Sequence, residues 1–237
     1  MKEFLLFLVL SVIFATSAFG QKQASERAAE GLLGNVKSVV TEASGKSTRV
    51  LMSKLTFDAD GNLNTREDYL PSGDLLNSSS YSFLEGERVV KMVTIYPPNM
   101  IVIGDPMKIK RSSDPRYTYK IRYKFDGLGR RTEATWLRSD DSIYFKDVYS
   151  YNGNSREEVV DFDNGLVLEK KVFTLDRRGN ELEVFHRDPS DNSLHYKETY
   201  SYLEFDSHGN WIKRVESLER ANTPVISSIV FRTITYN

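Results

Sequence analysis

Apolar and polar residues alternate with a period of two along most of this chain. The clearest run is Tyr117, Tyr119, Ile121, Tyr123 and Phe125, with Thr118, Lys120, Arg122 and Lys124 between them. Nine residues of strict alternation predict a half-buried β-strand. After a turn, Thr132, Ala134 and Trp136 alternate with Arg131, Glu133 and Thr135. Five segments repeat one frame: LTFDADGNL (55–63), YKFDGLGRR (123–131), YSYNGNSRE (149–157), FTLDRRGNE (173–181) and LEFDSHGNW (203–211); YSFLEGERV (81–89) fits it loosely. The frame is apolar, any, apolar, Asp, two variable residues, Gly, and often Asn.

That frame predicts a β-turn. Asp58, Asp126, Asp176 and Asp206 each precede a glycine by three positions, at Gly61, Gly129, Gly179 and Gly209. Aspartate opens a turn by accepting backbone N–H groups further on, and glycine takes the left-handed conformation that closes it. A looser turn closes each unit at PSGD (71–74), RSDDS (138–142), DNG (163–165) and DPSDNS (188–193). Each unit is therefore strand, turn, strand, turn. The expected fold is all-β: tandem antiparallel β-hairpins in a continuous meander of about a dozen strands. A flat sheet of that width twists, so it should curl into a spiral, a partial barrel or two packed layers. The exposed edges of such a sheet leave self-association open.

The hairpins occupy residues 50–216, with an irregular insertion near 96–116 whose prolines at 97, 98, 106 and 115 forbid a regular central strand. Residues 21–49 form a cap, with a short helix in QASERAAEGLL (23–33) ahead of the strand NVKSVVTEA (35–43). Residues 217–237 supply a loop and a final strand, VISSIVFRTITYN (225–237). Residues 1–20, MKEFLLFLVLSVIFATSAFG, follow the charged, apolar, small-residue order of a secretory leader. Their apolar run is too short for a membrane span of roughly 20 residues. Export to the periplasm or the exterior is expected, with no membrane span after cleavage at Gly20.

Composition narrows the function. There are 32 basic and 33 acidic side chains, a net charge of −1 and no cysteine. Disulfide scaffolds, thiolate metal sites and thiol nucleophiles are excluded. A near-neutral chain offers little counterion release, so no nucleic-acid partner is expected. Aromatic residues at 12% exclude a disordered chain.

The acid–glycine frame, best seen in YKFDGLG (123–129) and LEFDSHGN (203–210), resembles the YD repeat of bacterial Rhs-type proteins, over about residues 50–216. The resemblance implies an antiparallel β ribbon and a secreted structural or binding scaffold. About six units are too few for the closed shell of the large members, and no toxin domain is appended.

Candidate chemistry is sparse. His186 and His195 flank DPSDNS and could face each other across a hairpin, with Asp188 or Glu198 as further metal ligands; strand histidines without metal are the simpler expectation. TFDADGNLNTRE (56–67) places Asp58, Asp60, Gly61 and Glu67 at calcium-loop spacing, but its flanks alternate like strands and turn chemistry is favoured. Adjacent carboxylates such as Glu157–Glu158 and Asp140–Asp141 do not by themselves nominate a glycosidase. Trp136 and Trp211, with outward Tyr200 and Tyr202, are ligand-binding candidates as a sugar-stacking platform, against packing in the core. No catalytic residue, metal or cofactor is nominated. The leading expectation is an exported, non-enzymatic β-repeat scaffold or binding module, with a cell-envelope polymer or protein as partner. The alternatives are a carbohydrate-binding protein using exposed aromatics, a hydrolase whose acids converge only in the fold, and, on family analogy, a partner-protected effector–immunity module.

Overall fold

The computed structural model describes residues 25–45, 48–84, 87–94, 116–128, 130–162 and 166–237. Residues 1–24, with the expected leader, most of the insertion, the DNG corner and Gly129 lie outside the described residues. A one-turn helix, α1 (Glu26–Ala29), precedes fourteen strands: β1 (Val36–Ser44), β2 (Arg49–Phe57), β3 (Leu63–Tyr69), β4 (Leu75–Leu84), β5 (Glu87–Thr94), β6 (Arg116–Phe125), β7 (Arg131–Leu137), β8 (Ile143–Asn152), β9 (Ser155–Phe162), β10 (Val167–Leu175), β11 (Glu181–Arg187), β12 (Leu194–Phe205), β13 (Trp211–Arg220) and β14 (Ile226–Tyr236). Every strand pairs antiparallel with its sequence neighbours, and β1 pairs with β14.

The sheet is a closed barrel, not an open spiral or partial barrel. Closure comes from the two segments outside the repeats. Val39, Thr41 and Ala43 of β1 sit opposite Ile234, Arg232 and Val230 of β14. Both strands alternate in the same phase, so joining them buries apolar side chains and satisfies two rows of backbone groups at once. The edge strands expected to invite self-association are thereby removed.

In an up-and-down meander every second connection returns to the same rim. The Asp-type corners joining β2–β3, β6–β7, β10–β11 and β12–β13 therefore share one end, with the tight Gly153–Asn154 corner between β8 and β9. In each Asp corner the aspartate N–H donates to the carbonyl four residues on: Asp58 to Asn62 (2.9 Å), Asp126 to Arg130 (2.9 Å), Asp176 to Asn180 (2.8 Å) and Asp206 to Asn210 (2.8 Å). The carboxylate accepts the N–H of that same residue, at 2.8–2.9 Å. Gly61, Gly179 and Gly209 have φ of 85°, 84° and 89°, the left-handed region the corner requires. The other rim carries the looser turns, such as 70–74 and 188–193.

Fourteen strands spaced about 4.8 Å and tilted about 40° give a diameter of roughly 28 Å, more than side chains alone fill. Buried apolar residues are accordingly local. One cluster (Leu32, Val36, Val39, Leu55, Phe57, Leu63) lies under the N-terminal segment, and another (Val90, Ile121, Ala134) lies under Tyr123, Trp136 and Tyr149.

Candidate functional site in the barrel lumen

Residues 25–35 close the rim that carries the Asp corners. Ser25 caps α1, its Oγ accepting the Ala28 N–H at 3.3 Å. The Arg27 N–H donates to Gly61 O at 2.9 Å. Glu26 reaches into the barrel, where Oε2 accepts the Leu63 N–H (2.7 Å) and Oε1 accepts the Tyr123 hydroxyl (2.8 Å). Arg88 donates to both carboxylate oxygens, with Nε at 3.2 Å from Oε1. On the other side Asn210 grips the segment at both backbone groups of Leu33: Oδ1 accepts the N–H (2.7 Å) and Nδ2 donates to the carbonyl (2.9 Å). Asn62 and Asn180 instead turn their amides back to Asp58 and Asp176. At Asp206 the Tyr236 hydroxyl takes that role, which frees Asn210 for the plug. Burial and this hydrogen bond push Tyr236 up to about 12. Burial works against ionisation of Asp58, Asp176 and Asp206, yet their N–H and hydroxyl donors outweigh it and hold all three below the ordinary carboxylate value.

Cross-strand partners share a face, so the register assigns each side chain to the wall or the lumen. The outer wall carries opposite charges in pairs: Lys124–Glu133 (2.9 Å), Lys170–Glu157 (3.4 Å), Lys197–Glu183 (2.5 Å) and Lys213–Glu204 (2.8 Å), with Lys54 opposite Glu67. The lumen is aromatic and arginine-rich. Tyr123, Trp136, Tyr149, Phe173, Tyr196, Tyr200, Tyr202 and Trp211 face inward, as do Arg66, Arg88, Arg131, Arg156, Arg214 and Arg232. Guanidinium groups stack on the rings: Arg156 on Phe173 at 3.9 Å, Arg214 on Tyr200 at 4.3 Å, and both Arg214 (4.1 Å) and Arg232 (3.7 Å) on Trp211. Arg, flat and weakly hydrated, suits this role better than Lys. Most inward polar and aromatic side chains retain some accessible surface while surrounded by the barrel. At the diameter that fourteen strands set, they line a space wider than they fill.

Charge is unevenly matched inside. Arg214 donates to Glu216 (2.8 Å), Arg156 to Glu181 (2.6 Å) and Arg66 to Asp68 (3.1 Å). Arg131 and Arg232 have no side-chain hydrogen bond among the described residues, and each lies within electrostatic reach of Glu30 on the plug. Burial, then the adjacent Arg214 charge, pushes Arg232 down to about 10. Burial, then the charge of Glu158, pushes Asp147 up to about 6, against a 3.2 Å hydrogen bond from Trp136 Nε1.

Several sequence expectations need correction here. Tyr200 and Tyr202 do not point outward: they share a face with Glu216 and Arg214 and line the lumen, while Lys197, Thr199 and Ser201 hold the outer positions. Trp136 and Trp211 line the same space, so the aromatic platform is internal. His186 and His195 do not face each other. His186 is buried against Tyr196 (rings 3.9 Å apart) and contacts Glu169 at 3.0 Å; its Nε2 is 3.3 Å from Glu198 without hydrogen-bond alignment. His195 is exposed and lies 3.3 Å from Asp188. At the calcium-like spacing, Asp58 is occupied by Asn62, and Glu67 is on the outer face bonded by the Tyr69 hydroxyl at 2.6 Å. Adjacent Glu157 and Glu158 point to opposite faces. The inward arginines were not foreseen. Their signal was parity: in VISSIVFRTITY, Arg232 keeps step with Val230, Ile234 and Tyr236.

No family model matches the chain, and no curated protein matches it. Among solved structures the barrel is similar to a porin-like protein from Bacteroides uniformis, at 12% identity and a TM-score of 0.50, covering 84% of this chain and 96% of that one. A DUF1329 family protein from Desulfovibrio piger aligns at 6% identity and a TM-score of 0.29, covering 92% of each chain.

Proposed function

We propose that the chain is an exported, water-facing β-barrel of the cell envelope that binds a ligand in its lumen without turning it over. The carrying observation is the distribution of charge: ion pairs on the outer wall around a hollow, aromatic, arginine-lined interior. A lipid-facing wall would place Lys54, Lys124, Lys170, Lys197 and Lys213 against hydrocarbon. At about 2–4 kcal/mol for each such residue near the midplane, that is on the order of ten kcal/mol against insertion. The leader-like residues 1–20 and the likeness to a porin-like barrel support an envelope address. Inward aromatics that present ring faces to a wettable space support a ligand with apolar or sugar rings, held inside and not on an outer platform.

The test is fractionation of the full-length chain expressed in a bacterium with two membranes. Osmotic shock should release a soluble protein whose mass corresponds to cleavage after Gly20. Retention in the outer-membrane pellet, extraction only by detergent and ion conductance in planar bilayers would refute the reading. A hydrolase is the second reading, favoured by one observation: Asp147, pushed up to about 6, beside Glu158 in the lumen. Glycoside turnover that disappears in Asp147→Asn would establish it in place of pure binding.

A further inference from the structure

Two lumen arginines stack on the same indole and differ in one respect. Arg214 lies 4.1 Å from the Trp211 ring and is held by Glu216, which accepts from Nε at 2.8 Å and from Nη2 at 2.5 Å. Arg232 lies 3.7 Å from that ring, and no carboxylate or carbonyl among the described residues accepts any of its N–H groups. Its Nε is fully enclosed and unpartnered. A guanidinium carries five N–H donors in a fixed fork that matches carboxylate and phosphate oxygens. Leaving such a group desolvated and unpaired is unfavourable unless something else meets it. The nearest protein carboxylates are already engaged or too distant: Glu216 belongs to Arg214, and Glu30 acts on Arg232 only through space. Water still reaches part of the residue, so Arg232 borders the barrel interior and is not sealed whole inside its wall.

We infer that Arg232 is the receptor for an anionic group, a carboxylate or phosphate carried by the lumen ligand, with the Trp211 indole as the fixed surface that holds the guanidinium. The inference rests on the lumen-binding reading and adds the chemical class of the ligand. Arg214 and its Glu216 partner keep a second positive group beside the site while preventing it from competing for the anion. Arg131, stacked 5.2 Å from Tyr123 and 5.4 Å from Tyr149 and likewise without a hydrogen-bonded acceptor, adds positive potential from the opposite wall.

The experiment titrates the mature chain with sodium phosphate in one arm and sodium acetate in the other. Sodium chloride at matched ionic strength is the control. Thermal midpoint and tryptophan fluorescence are the readouts, the latter because Trp211 touches Arg232. A saturable rise in midpoint with a fluorescence change is expected beyond the chloride control. The arm that saturates identifies the phosphate or the carboxylate. Arg232→Gln should weaken the response at least tenfold, and Lys91→Gln on the outer wall should leave it unchanged. Arg232→Met should melt at a higher temperature than the parent in anion-free buffer, because a buried unpaired charge is gone; this also shows that the fold is intact. Arg232→Lys, which keeps the charge but loses the fork, should weaken binding several-fold. A parent response no larger than chloride, or Arg232→Gln or Arg232→Lys titrating like the parent, would overturn the inference. Anion binding by a protein found in the membrane pellet would keep this site and remove the water-facing reading; a shock-released protein without an anion response would do the reverse.

Discussion

Replacing Glu26 by Gln tests how the plug is held. One carboxylate accepts from Leu63 N, Tyr123 Oη and both Nε and Nη2 of Arg88. Arg88 is 5% exposed and Glu26 15%, so the pair is largely removed from water. Gln keeps one acceptor but turns the other oxygen into a donor that faces donors. Arg88 then retains the Leu63 carbonyl and one amide oxygen as acceptors but loses its counter-charge. Breaking a buried pair from one side costs about 3–5 kcal/mol, because it leaves a charge uncompensated. Undocking of residues 25–35 would let water reach Arg88, and this alternative sets a ceiling on the loss. We therefore expect about 3 kcal/mol from urea unfolding of Glu26→Gln, and a similar loss from Arg88→Met. The double variant should lose well under the sum, with a coupling of roughly 2 kcal/mol or more, since each change removes the partner whose absence hurts the other. Additivity within about 0.5 kcal/mol would refute the argument that this pair holds the plug.

Two further substitutions probe the lumen and the rim. Asp147 has a folded pKa near 6 against an ordinary 3.8. The folded state thus keeps a proton that the unfolded chain releases, and stability declines as pH rises through that window. Asp147→Asn should therefore stabilise the protein by about 1–3 kcal/mol at pH 7, with the difference shrinking towards pH 4; a pH-independent difference in thermal or urea unfolding would contradict this. Asn210, 2% exposed, bonds both backbone groups of Leu33 as well as Tyr236. Asn210→Ala should cost roughly 2–4 kcal/mol and speed proteolysis after Arg27, whereas Asn180→Ala, whose amide serves only its own corner, should cost about 1 kcal/mol and leave cleavage unchanged.

Strand alternation and the acid–glycine corners were legible because both are local. Tyr123 and Phe125 alternate within one strand, and Asp58 meets Asn62 four residues away. Closure was not legible, because it depends on β1 finding β14 across nearly the whole chain. The direction of the aromatics was lost with it. In an open sheet Tyr200 and Tyr202 sit on a surface, whereas in a closed barrel the same positions line a cavity. Asn210 shows a subtler limit. Its corner is sequence-identical at the key positions to that of Asn180, yet Tyr236 displaces its amide and turns it into a plug contact. No local motif carries that exchange.

Five paired lysines lie on the outer wall and six arginines line the lumen, where Lys171 joins them beside Glu158 and His186, and that arrangement explains how so polar a barrel holds together. Lysines at 54, 124, 170, 197 and 213 lie outside, directly opposite or diagonal to glutamates, where each pair contributes little, about 0.2–1 kcal/mol. Arginines at 66, 88, 131, 156, 214 and 232 lie inside. A wall whose inner face were purely aliphatic would collapse on itself or aggregate, because roughly 28 Å of lumen cannot be filled from its own side chains. Guanidinium groups resolve the conflict. Their flat faces cover the aromatic rings, and all six but Arg88 keep some accessible surface, so the lumen can be lined without being filled. The arrangement leaves cationic groups facing the space where a ligand would sit; among the described residues no carboxylate has taken the edge of Arg131 or of Arg232, and of these two Arg232 is the one stacked on Trp211.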